Sequence, residues 1–212
     1  MTKRLPVKVA ALSITIASTM AEVLKITFAS KIICLKSKIY RKKFVSLHKD
    51  SSDMAKATIQ SVRQTETAGL FTICFEGESY DEFRKFIMKG EADATLQPDL
   101  KKILDALQRM LSAVGFLERY FRPEGKMKDR VVALPIDRSR LRLYCLRLSD
   151  GVLIVGNGGQ KATRTYDEDS ELSGYVLTLQ KLDELLKSAE RKGTVSIEKT
   201  SITGMDDKLF EL

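Results

Sequence analysis

Hydrophobic and polar positions follow a regular pattern from Leu70 onward. The run LFTICFEG is rich in β-branched and aromatic residues and ends at Gly77, so it predicts a short strand. The next segment, SYDEFRKFIMKG, opens with Ser79 and Glu82 in capping-box spacing and stops at Gly90, which predicts a helix. Its apolar residues share one helical face: Phe83, Phe86 and Ile87.

A second helix is predicted to start near Pro98, because proline suits the first turn of a helix, and to end before Gly115. Its apolar residues recur at helical spacing: Leu100, Ile103, Leu104, Leu107, Leu111 and Val114. Together the two predicted helices form a helical hairpin.

Three strand-like runs, VVALPI, RLRLYCLRL and VLIVG, follow the basic loop RYFRPEGKMKDR. The turn SDG joins the last two runs, which predicts an antiparallel meander. A helix is then predicted in YVLTLQKLDELLKSAERKG, and TVSIEKTSI is expected to add a last edge strand. The predicted order is βααβββαβ, an α+β domain with the helices packed on one face of a curled antiparallel sheet.

The first 68 residues lack this order and predict a basic N-terminal arm and linker, disordered or helical, ahead of a domain over 69–212. A basic start precedes an apolar run over 9–21. This pattern is compatible with a signal peptide or anchor, with an amphipathic arm that binds a surface, or with an incidental extension. Residues 46–68 are polar and predict a linker, and translation from Met54 is a further alternative.

The charge is concentrated in this arm. The chain carries a formal net charge of +8, but residues 1–45 contain ten Lys or Arg and a single acid, Glu22. The remaining residues therefore sum to a charge close to zero. Global basicity is thus no evidence that the domain binds nucleic acid, and only local basic clusters can support that interpretation.

The cysteine and histidine content excludes several classes of site. The chain has three cysteines without CxxC spacing and a single histidine, His48. These residues disfavour a disulfide framework, a zinc site and a Ser-His-Asp triad in the domain. Unpaired cysteines suit a reducing compartment, so we expect a cytoplasmic protein. The sequence indicates no metal ion and no other cofactor.

Two short segments invite a chemical interpretation. The predicted loop GNGGQK has glycines that would let backbone amides approach a phosphate, but it matches neither the P-loop nor the dinucleotide fingerprint. The segment YDEDSEL has oxygen ligands for a divalent cation, but its spacing matches no calcium loop. Acids just before a helix are favoured by its dipole, so we assign a structural role to Asp167, Glu168, Asp169 and Glu171.

A local basic cluster is the strongest candidate for function. Strand alternation puts one group of side chains on a predicted cationic face: Arg138, Arg140, Arg142 and Tyr144. The opposite face is predicted core: Leu141, Leu143 and Cys145. Two basic segments flank the meander, with Lys126, Lys128 and Arg130 before it and Lys161, Arg164 and Tyr166 after it. A meander can bring these groups together on one surface that binds phosphates and stacks on bases. The alternative interpretation is an ordinary solvated strand face whose arginines pair with the protein's own acids.

The order and spacing of these motifs resemble the RelE/ParE toxin superfamily of bacterial toxin–antitoxin systems. The similarity spans residues 70–192, from the first predicted strand to the end of the last predicted helix. Its marks are an arginine and a tyrosine on a central strand, and a basic segment that ends in tyrosine: Arg142, Tyr144, Lys161, Arg164 and Tyr166.

This resemblance implies a RelE-like toxin, a ribosome-dependent endoribonuclease that cuts mRNA and is neutralised by a cognate antitoxin protein. The ParE branch of the superfamily implies instead a non-catalytic inhibitor of DNA gyrase, so whether the chain is an enzyme stays open. RelE-like cleavage uses the 2′-hydroxyl of the RNA as nucleophile and requires no metal. The protein then has to position the phosphate and stabilise charge.

The resemblance implies a role for each residue that matches a family motif. Arg142 is expected to clamp the scissile phosphate, with support from Arg140. Lys161 and Arg164 are expected to stabilise the developing charge, and Tyr166 to transfer a proton or stack on a base.

The remaining residues of the set are expected to contact nucleic acid: Lys126, Lys128, Arg130, Arg138, Arg140 and Tyr144. One departure from the family concerns the strand VVALP, which is apolar where active members carry lysines, and which contains Pro135. This departure argues for the non-catalytic alternative.

Overall fold

The computed structural model describes residues 55–124, 129–134, 136, 139–160, 168–206 and 208–212. These residues form one mixed sheet of seven strands, a separate two-stranded hairpin and three α-helices.

The strands and helices follow one another along the chain in this order. Two strands, β1 (Lys56–Gln64) and β2 (Gly69–Phe75), precede two helices, α1 (Glu82–Ala92) and α2 (Gln97–Arg109), and α2 continues into a π-helical turn, Met110–Val114. A short 3₁₀ turn, Glu118–Tyr120, leads to β3 (Arg122–Pro123), β4 (Val131–Leu134), β5 (Leu141–Arg147) and β6 (Val152–Gln160). Helix α3 (Ser170–Arg191) is followed by β7 (Ser196–Ile197), β8 (Ile202–Thr203) and β9 (Phe210–Glu211).

The strand order of the large sheet is β3-β4-β5-β6-β2-β1-β9. The described strand pairs are antiparallel except for β2 and β6, which run parallel from Gly69 opposite Val152 to Thr72 opposite Val155. The predicted α+β class, helical hairpin and meander are confirmed. The fully antiparallel sheet is wrong at this one pair, because β4, β5 and β6 alternate in direction and β6 then lies beside β2 in the same direction.

Helices cover both faces of the sheet. On one face, Val176 and Leu179 of α3 join a hydrophobic cluster that includes Tyr144 of β5 and Ile154 of β6. On the other face, the hydroxyl of Thr72 accepts a hydrogen bond from the first turn of α1. The predicted packing of all helices on one face is therefore wrong. Strand β6 is apolar on both faces because each face meets a helix, as in parallel sheets.

The ends of α1 differ from the sequence prediction. Asp81, rather than Ser79, caps the helix, since its carboxylate accepts a hydrogen bond of 2.9 Å from the amide of Arg84. Gly90 lies inside the helix instead of ending it. A Cβ at this position would lie 3.0 Å from a methyl group of Leu100, so the glycine allows α1 and α2 to pack closely.

The expected linker over 46–68 is wrong for its described part. Residues Lys56–Gln64 form β1, which pairs with β2 along its length and with β9 at its start. A strand near the edge of a sheet keeps one side in water, so it carries polar residues and resembles a linker in sequence. The predicted edge strand in TVSIEKTSI forms the β7–β8 hairpin instead, and β9 lies at the edge of the large sheet.

The predicted arm, residues 1–54, lies outside the described residues. Within the described part of the chain, no helix has the length and apolar content needed to span a membrane.

Candidate functional site

Arg142 is the one predicted catalytic residue that the described part of the chain contains. It lies near the start of β5, where its Nη1 atom is 3.4 Å from Oε1 of Glu124, just after β3. The side chains of Arg142 and Glu124 expose only 12% and 8% of their surfaces. A phosphate that approached Arg142 would therefore compete with a carboxylate already beside it.

Tyr144 does not lie on an exposed platform. Its side chain is fully buried in the cluster beneath α3, together with Leu146 and Val176. Burial raises the pKa of Tyr144 to about 12, and a hydrogen bond with Arg142 opposes this rise. The predicted cationic face is wrong here because α3 covers it. Because the ring of Tyr144 is buried, it presents no exposed face on which a base could stack.

The strand register places Arg142 opposite the end of β6, the strand that precedes the basic segment in the sequence. Arg142 pairs with Gly159, and Leu141 pairs with Gln160, the last residue of β6. Asp169 caps α3, and its negative charge contributes to the raised pKa of Tyr144. The described residues on both sides of 161–167 thus lie close to the Arg142–Tyr144 pair.

Arg140 binds a different part of the protein from Arg142. Its backbone amide donates a hydrogen bond of 2.8 Å to Oδ2 of Asp99, and its guanidinium donates to the carbonyl of Thr95. The amide of Arg140 is the main cause that lowers the pKa of Asp99. Arg140 precedes β5, so strand alternation does not place its side chain. The structure ties it to the helical hairpin.

Arg130 joins the start of β4 to α3. Its Nε atom donates a hydrogen bond of 2.6 Å to Asp183, and Nη2 donates one of 2.9 Å to Glu190. Asp183 is 1% exposed and also forms an ion pair of 2.7 Å with Lys187. The guanidinium of Arg130 therefore stabilises a buried carboxylate. This structural role of Arg130 was not predicted from the sequence.

Six of the predicted site residues lie outside the described residues: Lys126, Lys128, Arg138, Lys161, Arg164 and Tyr166. Their roles stay predictions.

The glycines of GNGGQK belong to β6, so this segment is a strand up to Gln160 and not a phosphate-binding loop. The register between β5 and β6 shifts between Leu143 and Cys145, which indicates a bulge. A Cβ on Gly158 would lie 2.0 Å from the carbonyl oxygen of Arg142, and one on Gly159 would lie 3.2 Å from Leu172. Close packing of β5 and α3 requires these glycines.

A polar cluster that the sequence did not predict lies where α1 and α3 meet. The ammonium of Lys89 donates hydrogen bonds to the carboxylate of Glu171 and to the hydroxyl of Tyr175, which in turn donates to Glu171. The hydrogen bond from Lys89 is the main cause that lowers the pKa of Glu171, whereas burial raises the pKa of Tyr175. Glu171 and Tyr175 lie one helical turn apart on α3, whereas Lys89 lies more than eighty residues earlier, so only the fold brings the lysine to this pair.

Buried polar side chains support this junction from inside the sheet. Asn157 donates a hydrogen bond of 2.8 Å to Glu82, which also accepts one of 2.7 Å from Lys85. Pairing of β6 with β2 stops at Val155, so α1 and α3 can touch beside the last residues of β6 although they cover opposite faces. These satisfied contacts fix the first turn of α1 to the end of β6.

The described residues of the acidic segment before α3 include a helix cap, in agreement with the predicted structural role. The carboxylate of Asp169 accepts hydrogen bonds from the amides of Glu171 and Leu172, and so caps the helix. Asp167 lies outside the described residues.

No protein family, curated protein or solved structure matches the chain.

Proposed function

We propose that the chain is a RelE-like toxin that acts on mRNA at the ribosome and is neutralised by a cognate antitoxin. The proposal rests on the sequence resemblance over residues 70–192. One structural observation supports it best: the β5–β6 register sets Arg142 beside the end of β6, and the basic segment with Lys161, Arg164 and Tyr166 follows directly in the sequence.

In this proposal Arg142 binds the scissile phosphate and Tyr144 holds its guanidinium from beneath the sheet surface. Lys161 and Arg164 supply further positive charge, and Tyr166 is the candidate group for proton transfer or base stacking. Glu124 competes with RNA for Arg142, so binding of RNA requires Arg142 to exchange that carboxylate for a phosphate.

A second function, a non-catalytic inhibitor that binds a protein such as DNA gyrase, is favoured by a different observation. Arg142 is already paired with Glu124, and Tyr144 is fully buried. The described part of the basic set therefore offers little free catalytic surface.

Induced expression of the full chain in a bacterial host separates the two functions. A RelE-like toxin arrests growth and leaves cleaved mRNA that primer extension detects, and coexpression of a cognate antitoxin restores growth. Tyr166→Phe and Arg142→Lys are expected to abolish cleavage, because the lysine keeps the charge but loses the planar guanidinium. Lys199→Gln, on an exposed turn, serves as the matched control.

Growth arrest with intact mRNA and inhibited supercoiling by gyrase would favour the second function. Absence of any growth effect, with the protein folded by circular dichroism, would refute both.

A further inference from the structure

A cleft of about 420 Å³ lies at the C-terminal end of α3, where the last turn of the helix meets β9 and the start of β1. Its apolar side is formed by α3 and by the residues around β9: Leu185, Ala189, Leu209 and Phe210. Its polar side carries three lysines and two hydroxyl groups: Lys56, Lys192, Lys208, Ser188 and Thr194. The cleft thus combines an apolar wall with a cationic rim.

The three lysines come from separate parts of the chain. Lys56 starts β1, Lys192 follows the last turn of α3, and Lys208 precedes β9. A lysine at the end of a helix is favoured by the helix dipole, which explains Lys192 but neither of the others. Their convergence on one cleft is a property of the tertiary structure.

Within the described residues, none of these three ammonium groups forms an ion pair with a carboxylate. Lys208 donates a hydrogen bond of 3.0 Å to the hydroxyl of Thr194, which fixes its position at the cleft. Glu211 is the single acid among the lining residues, so the rim has a net positive charge. Like charges in one cleft repel each other, and a bound anion would relieve this repulsion.

The shape and chemistry of the cleft restrict its ligand. A volume of this size holds about a dozen water-sized groups, which suits a small molecule. Leu209 is exposed and Leu185 is only partly buried, so they offer apolar surface to an alkyl group, while the lysines attract a carboxylate or phosphate.

We propose that this cleft binds a small amphiphilic anion, with its carboxylate or phosphate at Lys56, Lys192 and Lys208 and its alkyl part against Leu185 and Leu209. The 22 residues of α3 span about 33 Å, so the cleft is remote from Arg142 near the other end of that helix. This binding site is independent of the proposed action on mRNA.

Titration calorimetry of the full chain with octanoate and octyl phosphate tests the proposal. Both are expected to bind, and two-dimensional amide NMR is expected to show shifts at Ala189 and Phe210. The double variant Lys56→Gln, Lys192→Gln is expected to weaken binding at least tenfold. Both lysines are exposed, so the variant should fold, and Lys199→Gln on the β7–β8 turn is the matched control.

Two comparisons test the charge and the alkyl part of the ligand separately. Octanol should bind at least tenfold more weakly than octanoate, because it lacks the charge, and inorganic phosphate should bind more weakly than octyl phosphate, because it lacks the alkyl part. Equal binding of inorganic phosphate and octyl phosphate would overturn the role of the apolar wall. Binding of a short RNA without binding of either amphiphile, or unchanged binding by the folded double variant, would overturn the proposal.

Discussion

Replacing Arg130 by leucine is expected to destabilise the fold rather than to weaken RNA binding alone. Asp183 is 1% exposed and loses the 2.6 Å hydrogen bond from Arg130 in this variant. Loss of one partner of a buried ion pair costs about 3–5 kcal/mol when the remaining charge has no other partner. Here Lys187 stays 2.7 Å from Asp183, so we expect a smaller loss of about 2–3 kcal/mol in the free energy of unfolding.

Urea unfolding followed by far-ultraviolet circular dichroism measures this loss. For a domain of this size the melting temperature should fall by about 2–4 °C for each kcal/mol. Lys101→Met is the control, because Lys101 pairs with Asp105 on the exposed side of α2 and should change stability by less than about 0.5 kcal/mol. An Arg130→Leu protein as stable as the wild type, but impaired in binding RNA, would refute the structural role and restore the predicted nucleic-acid contact.

Two further predictions concern the interior of the sheet. Gly158→Ala should lower the free energy of unfolding by at least about 2 kcal/mol, because its Cβ would lie 2.0 Å from a carbonyl oxygen. The control Gly174→Ala, in α3, would place its Cβ where no atom lies within 4 Å, so thermal unfolding should show a neutral or stabilising effect. The pKa of Tyr144 is raised to about 12 in the folded protein, against about 10 in the unfolded chain. Neutral Tyr144 therefore stabilises the folded state below about pH 10, and this contribution is lost as the pH rises towards 12. Tyr144→Phe should lose less stability than the wild type over that range in urea titrations, and equal losses would contradict the assignment.

The local elements could be predicted because their signals lie in short stretches of sequence. The apolar spacing of Phe83, Phe86 and Ile87 specifies a helix face, and all three side chains pack in the interior. The runs around Val131, Leu143 and Ile154 specify strands for the same reason. Such patterns depend on the repeat of the helix or strand and not on its neighbours.

The candidate site was harder to predict because exposure depends on what packs over a strand. Alternation put Arg142 and Tyr144 on one face correctly, but it could not show that α3 covers this face and buries the tyrosine. Arg130 likewise looked like one of several basic residues in a loop. Its partners Asp183 and Glu190 lie more than fifty residues later in the chain.

The sequence by itself determined the helical hairpin, the meander and the helix that follows, because propensity, capping residues and hydrophobic periodicity act over a few residues. The tertiary structure decided that β6 runs parallel to β2, that helices cover both faces of the sheet, and that the glycines of GNGGQK serve packing. It also decided which arginines are bound by acids and which lysines share a cleft. Contacts between residues distant in sequence produce these features, so no local pattern encodes them.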